Sequence, residues 1–448
     1  MGDIQRNCQG HDGPKPPLDV AVVGGGIIGV VTALGFLQRG MNVVIYERAA
    51  KFEEIGAAIG FTGVARECMQ RLNPRILEVL RQVGQRSPHE TVRYWDGFHP
   101  RTKESAEQEE SSLLFDVPQQ GLAFWACLRS HFLCGMVDQL PEGSVQFGKQ
   151  LVNYTDSDGS EKVKLHFADA TTAEADVVIG CDGIHSATRK LLLGKEHPAS
   201  NPSYSHKLVF RALVSFPGAV AALGADKASD QCLHLGPGAH MVSFPVNNGA
   251  MYNIVLAIHD SQEWPDPYTM TATSTREEVS SVMEHWGPHL TEIIGLLPEK
   301  LTKYGVFDMA ENPAPTYASG RVCIAGDAAH ASSPFHGSGA CMGVEDALVL
   351  SELLDHVQSL PVSARPHSLA AALQAFSTVR IERSQWLVQS SREIGDIYEW
   401  RYPDTGEDSA KCKAEFEWRT KKIWDFDVDA MVAESKKEYD KLATSTVY

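Results

Sequence analysis

The sequence predicts an α/β chain: a parallel-sheet unit, a mostly antiparallel β-sheet inserted within it, and a helical C-terminal part. Three observations lead there. The chain opens as strand, glycine-rich turn, helix and strand; residues Tyr204 to Ala257 break into short β-branched and aromatic runs; and the last hundred residues carry helical periodicity. Asp19–Val23 (DVAVV) reads as a buried strand, Ile27 to Arg39 as a helix and Asn42 to Tyr46 as the next strand. From Trp95 to Glu110 the pattern dissolves into turns and an acidic run, the mark of a solvated loop. The runs LVFRALVSF, CLHLGPGAHMVSFPVNN and MYNIVLAI, broken by Gly, Pro and Asn, predict the antiparallel sheet. Helices return from Glu277 to Leu297, and Leu369 to Ile397 is the longest helical run.

The bulk numbers narrow the class. At 448 residues, 43% hydrophobic and 22% charged, the chain can build two or three packed units. A net charge of −17 would repel a phosphate backbone or an anionic membrane, so no nucleic-acid partner is expected and the ligand should be small. Nine scattered cysteines with no C-x-x-C pair suit a reducing compartment. The polar stretch 1–17 lacks the apolar core of a secretory signal, and a cytoplasmic location is expected. Val20 to Phe36 is nearly long enough to span a bilayer, but glycines at 24, 25, 26 and 29 belong to a strand-to-helix turn, so it reads as buried. Monomer and homodimer both remain open.

Three motifs carry chemistry. In VVGGGIIGV, Gly24, Gly26 and Gly29 stand in G-x-G-x-x-G register directly after a strand. Glycine there permits a tight turn and close approach to a pyrophosphate at a helix N-terminus, which makes the unit Rossmann-like. Glu47 closes the second strand eighteen residues after Gly29, where a carboxylate would accept from a ribose diol. That pattern fits NAD or the adenosine half of FAD equally. The second motif, VVIGCDGIHSATR, runs a buried strand into Asp182, Gly183, Ser186 and Arg189. The third, VCIAGDAAHASSPFHGSGACMGVEDA, breaks a strand into Asp327, which could bond a polyol chain, and then into the Gly337–Ala340 turn, which would aim backbone N–H groups at a reduced ring.

Together these segments resemble the fingerprints of single-component aromatic hydroxylases related to p-hydroxybenzoate hydroxylase and salicylate hydroxylase. The similarity is strongest to fungal salicylate-hydroxylase-like monooxygenases of polyketide pathways, including dearomatising members, and it runs through EIGAAIGFT, YSHKLVFRAL, RSQWLVQSSR and KIWDFDVDAM. The resemblance implies non-covalent FAD, with NADPH or NADH as co-substrate and O2 as oxidant. It implies a discontinuous FAD-binding domain (18–90, 120–195 and 300–370), a substrate-binding sheet domain (91–119 and 196–299) and C-terminal helices (371–448). Glu47 would hold the adenosine ribose, Gly60 would line the flavin, Arg129 would reach the phosphate and ribityl region, Asp327 the ribityl chain and Ala340 the ring edge. Gly326, Gly339 and Asp182 are counted with these cofactor contacts, and Arg189 supports them.

The resemblance further implies hydroxylation of a phenolic substrate through a flavin hydroperoxide, with dearomatisation or decarboxylative hydroxylation as variants. Arg211, a charge in the otherwise apolar run LVFRALVSF, is the candidate catalytic residue because a guanidinium favours a phenolate. Relatives carry a tyrosine where this chain has Phe244, which cannot hydrogen-bond a phenolate. Tyr94, His240, Pro334 and His336 are the other candidate substrate contacts. Rival readings are a flavin-free NAD-dependent dehydrogenase, a flavin-bearing binding protein, a hydrolase triad of Asp327, His330 and Ser338, and metal ligation by His330 and His336.

Overall fold

In the computed structural model, Asp19–Val23 pairs in parallel with Asn42–Glu47 on one side and Val177–Gly180 on the other. Val145–Phe147 and Val322–Ile324 extend this sheet in parallel, and Ala318–Ser319 closes one edge antiparallel, giving six strands. The structure describes residues 15–52, 58–86, 91–99, 112–118, 124–157, 162–246, 249–266 and 269–445. Most of the acidic stretch expected as a solvated loop lies outside them, as does the start of EIGAAIGFT.

The near-continuous apolar strands follow from burial on both faces, the usual state of a parallel sheet. Val20, Val22, Ile45 and Ile179 pack under the helices Ile27–Gln38 and Gly339–Ser359. Ala21, Val23, Tyr46 and Val178 face a small antiparallel sheet of Leu151–Thr155, Val163–Phe167 and Thr172–Ala175. The helix Ile27–Gln38 is buried on nearly every side. It sits so close to its neighbours that a methyl group on Gly35 would meet the Leu72 side chain at 2.6 Å and Ser351 Oγ at 2.8 Å. The apolar stretch Val20–Phe36 is therefore a core strand and helix, and no described helix is long and apolar enough to cross a membrane.

The second sheet has eight strands, in the order Thr271–Thr275, Lys300–Asp308, Ser203–Ser215, Met251–His259, Ala239–Val246, Cys232–Gly236, Thr91–Asp96 and Leu113–Pro118. All pairings are antiparallel except that of Cys232–Gly236 with Thr91–Asp96. The boundary expected at residue 300 needs correction, because Lys300–Asp308 pairs with Ser203–Ser215 and belongs to this sheet. Alternation sorts its residues cleanly. Phe210, Tyr252, Ile254, Leu256 and Met241 turn to one face, under the helices Phe216–Leu223, Arg276–Val282 and Pro288–Gly295. Val209, Val255, Ala257, Tyr304 and Val306 turn to the other, where Phe335 of the first unit meets them. The 34-residue helix Arg365–Tyr398 runs past both units. Its Phe376 joins the core of the first unit and its Ile394 and Ile397 pack under Tyr94, Leu233 and Leu235 of the sheet.

Candidate active site

The turn after Asp19–Val23 is shaped by clashes that only glycine avoids. Gly24 has φ +102°, and a Cβ there would lie 2.5 Å from the carbonyl oxygen of Cys181, so side chains are shut out twice over. A Cβ on Gly29 would run into the carbonyl oxygen of Gly24, which is why the helix can start directly against the strand. Gly26, by contrast, faces open space at the helix N-terminus. The opening at Gly26, with free N–H groups behind it, fits a pyrophosphate. Glu47 accepts from the backbone N of Gly25 at 2.6 Å and of Ala49 at 2.7 Å, which fixes its carboxylate beside that opening.

The second motif proves to be a brace. Asp182 is half-buried and accepts from Ser186 Oγ, from Thr188 N at 2.9 Å and from Thr188 Oγ1 at 3.1 Å. Burial raises its pKa in spite of those bonds. Arg189, fully buried, donates to the carbonyls of Ala199, Ala328 and Ala329. It thereby ties this motif to the short helix Asp327–His330 of the third. Asp182 thus holds groups of its own motif, Ser186 and Thr188.

Asp327 is the one exposed residue in the otherwise buried run Arg321–Ala331. It follows Gly326, whose φ +60° and ψ −142° belong to a region that only glycine enters freely. Behind them lies a buried ionic cluster. Asp346 accepts from Gly326 N at 3.0 Å, contacts His330 Nε2 at 2.6 Å and accepts from Arg380 Nε at 2.8 Å; Glu345 pairs with Arg380 and Arg383. Burial alone would raise the Asp346 pKa, but the charges of His330 and Arg380 hold it well below the carboxylate range. Sequence reading passed over this cluster. Its signal was two adjacent acids in the apolar helix Gly339–Ser359 and two arginines three residues apart in Arg365–Tyr398.

The hydrolase triad does not form. Asp327 is exposed, His330 is committed to Asp346, and Ser338 Oγ donates to the His336 carbonyl at 3.1 Å. Among the described residues no group of three or more His, Cys, Asp and Glu is placed to hold a metal ion; His330 is engaged with Asp346 and His336 with Ser390.

Pro334 and Gly337 are exposed, and the helix Gly339–Ser359 begins just beyond with Gly339 and Ala340 half-buried. The ring of Phe124 lies against Gly60, and its tip would stand 3.6 Å from a Cβ on Gly337, so one aromatic ring adjoins both glycines. Arg129 opens the helix Arg129–Val137 and is near enough to Arg211 to lower its pKa.

Arg211 turns to the same sheet face as Val209 and Val255, with its guanidinium 5.5 Å from the ring centroid of Tyr304. The group is open to solvent, yet the surrounding protein lowers its pKa, opposed by Tyr304 and aided by Arg129. It makes no hydrogen bond or ion pair with any described residue.

The remaining candidates divide. Phe244, half-buried, projects on the same face as His240 and Val242. Tyr94 is 5% exposed and stacked among Phe115, Phe416 and Tyr398, which makes it core rather than an open contact. His240 is buried against Glu399 at 3.2 Å and likewise presents no open edge. His336 Nε2 lies 2.9 Å from Ser390 Oγ. Burial, and then Arg419, push its pKa down from 6.5 to about 3, with a hydrogen bond at Ser390 acting the other way. A histidine held neutral in the fold contributes stability that is complete above pH 6.5 and is lost as pH falls toward 3. His336→Gln should therefore lose less stability than the unaltered chain between about pH 7 and pH 5, by up to about 2 kcal/mol in urea unfolding.

A Rossmann-type glycine turn, the exposed carboxylate of Asp327 and the Arg211 guanidinium on the inserted sheet, without a hydrogen-bond or ion-pair partner among the described residues, are features that a flavoprotein hydroxylase could use. Residues 17–365 match the FAD binding domain family. The chain belongs to that family, and it is an FAD-dependent monooxygenase of the aromatic hydroxylase type. An FAD-dependent monooxygenase of Aspergillus terreus is 65% identical over 426 residues, 95% of this chain and 98% of that protein. Salicylate hydroxylase asL1 of Sarocladium schorii is 40% identical over 445 residues, 95% of this chain and 92% of that one. A solved salicylate hydroxylase substrate complex superposes with a TM-score of 0.80 at 29% identity, covering 94% of this chain and 98% of that one. A flavin-free dehydrogenase does not fit this membership.

Proposed function

We propose that the chain hydroxylates a phenolic aromatic substrate, polyketide-derived in the favoured case, using NAD(P)H as reductant and O2 as oxygen source. The balance is phenol, O2, NAD(P)H and a proton giving the hydroxylated product, water and NAD(P)+. Bound FAD supplies the oxygen activation. Gly24, Gly26 and Gly29 would admit its pyrophosphate, Glu47 its ribose, Asp327 its ribityl chain, and the turn Gly337–Ala340 its ring edge.

The observation that carries the reading is Arg211. A guanidinium without an anionic partner among the described residues, in surroundings that already penalise its charge, gains most from an anion placed beside it. A phenolate is such an anion, and ionising the phenol makes its ring carbons nucleophilic. The sheet face of Val209, Val255 and Tyr304 offers an apolar wall for the ring and limits access of water. Phe244 adds bulk but no hydrogen bond, which leaves Arg211 as the main anchor. Dearomatising hydroxylation uses the same residues. Decarboxylative hydroxylation is the second reading, favoured by Arg129, whose charge beside Arg211 suits a substrate bearing both carboxylate and phenol.

The test is to supply FAD-loaded protein with NADPH or NADH, isotopically labelled oxygen gas and a panel of phenols with and without an ortho carboxylate. One labelled oxygen per product molecule is expected; cofactor consumption without labelled product from any phenol would overturn the proposal. Release of carbon dioxide from the carboxylated members would select the second reading.

A further inference from the structure

A buried charge cluster lies behind the loop that the proposed function sets against the flavin ring. Lys207 enters from the sheet strand Ser203–Ser215 and is 2% exposed. Its ammonium pairs with Glu399, fully buried just past the helix Arg365–Tyr398, and with Asp396 at 2.8 Å. Glu399 also meets His240 Nδ1 at 3.2 Å. Four contacts then converge on one residue, Phe335, three of them on its ring. The Lys207 ammonium is 5.7 Å from its ring centroid, and the His240 ring meets it edge-on with centroids 5.0 Å apart at 75°. Tyr398 Oη donates to its carbonyl at 3.3 Å. Gly395 offers a bare stretch of helix backbone to the ring, where a Cβ would come within 2.6 and 2.9 Å of two ring carbons.

An apolar cluster could close this seam without the cost of desolvating an ion pair. What charge and hydrogen bonds add is direction: they hold the ammonium over the face of Phe335 and the imidazole at its edge. The residues on either side of Phe335 and His336, Pro334 and Gly337, are the exposed ones of the loop. Phe335 is thus an inward peg whose position sets theirs.

We propose that Lys207, Glu399, His240 and Gly395 are positioning residues that set the cofactor-facing loop Pro334–Ala340 through the ring of Phe335, an inference that rests on the function proposed above. Two variants approach the peg from opposite sides. Gly395→Ala removes none of the charged groups, suits a helix, and pushes a methyl into the ring while coming within 3.2 Å of Lys207 Cε. Glu399→Gln keeps the shape and loosens Lys207 and His240.

Both should retain FAD yet shift the visible absorption and circular dichroism of the bound flavin. In both, the share of NAD(P)H converted to hydroxylated product should fall roughly tenfold or more, the remainder appearing as hydrogen peroxide. The double variant Gly395→Ala with Phe335→Leu should be no worse than Phe335→Leu alone, because the ring that the methyl strikes is gone. An unchanged flavin spectrum and unchanged coupling in Gly395→Ala would overturn the inference even if Glu399→Gln failed to fold. So would a double variant clearly worse than Phe335→Leu. If the unaltered chain itself bound no FAD or hydroxylated no phenol, the functional reading would fail instead.

Discussion

Arg211→Ala should bind FAD normally and lose on the order of 100- to 1000-fold in hydroxylation. The size follows from what the guanidinium has around it. The described residues offer it no anion, and surrounding groups penalise its charge, so the free energy of pairing is left to the substrate. Arg211→Lys keeps the charge but not the planar fork, and should fall between the two. Stability should change by no more than about 0.5 kcal/mol, because the side chain is open to solvent and holds nothing else in place. The residual activity should climb with pH toward the phenol's own ionisation near pH ~10, since the residue that favours the phenolate is missing. Steady-state product formation together with the flavin absorption band separates these effects. A variant that keeps full product yield would remove Arg211 from the mechanism.

Asp346→Ala should cost about 3–5 kcal/mol of stability, the usual penalty for leaving a buried charge without its partner. Arg380 is fully buried and, among the described residues, would keep only Glu345 as a carboxylate partner. The N–H of Gly326 would lose its acceptor, and His330 Nε2 would lose its carboxylate partner at 2.6 Å. The helix Asp327–His330 rests on those bonds, so weaker FAD binding should accompany the loss. Since Asp346 is ionised in the fold far below its ordinary value of 3.8, its contribution is present above that pH and is lost only as strong acid protonates it. Asp346→Asn should therefore be harmful at neutral pH as well. Chemical unfolding and FAD titration measure both arms; a variant within about 1 kcal/mol of the parent would contradict the role assigned to the cluster.

The three glycine and aspartate segments were legible because each demands a backbone that few residues can adopt. Gly24 stands at positive φ against Cys181, and Gly326 in a region closed to other residues. Such constraints act locally and leave a pattern that a single chain displays. The alternating runs around Arg211 likewise foretold a sheet, and its one charge made Arg211 a candidate. Tyr94 and His240 read as polar candidates on the same grounds, but both are enclosed by Phe416, Tyr398 and Glu399, which come from over 150 residues away in the chain.

The sequence by itself determined the α/β class, the order of the three motifs, the glycines of the cofactor turn and the candidacy of Arg211. Steric exclusion and side-chain periodicity operate over a few residues, so they can be read without knowing what lies opposite. Only the tertiary structure decided that Lys300–Asp308 joins the inserted sheet, that Asp346 meets Arg380, and that Lys207, Glu399 and His240 close around Phe335. Those pairings depend on charge compensation and ring packing between distant segments. Burial is what makes such contacts matter, and burial belongs to the folded molecule rather than to any stretch of its chain.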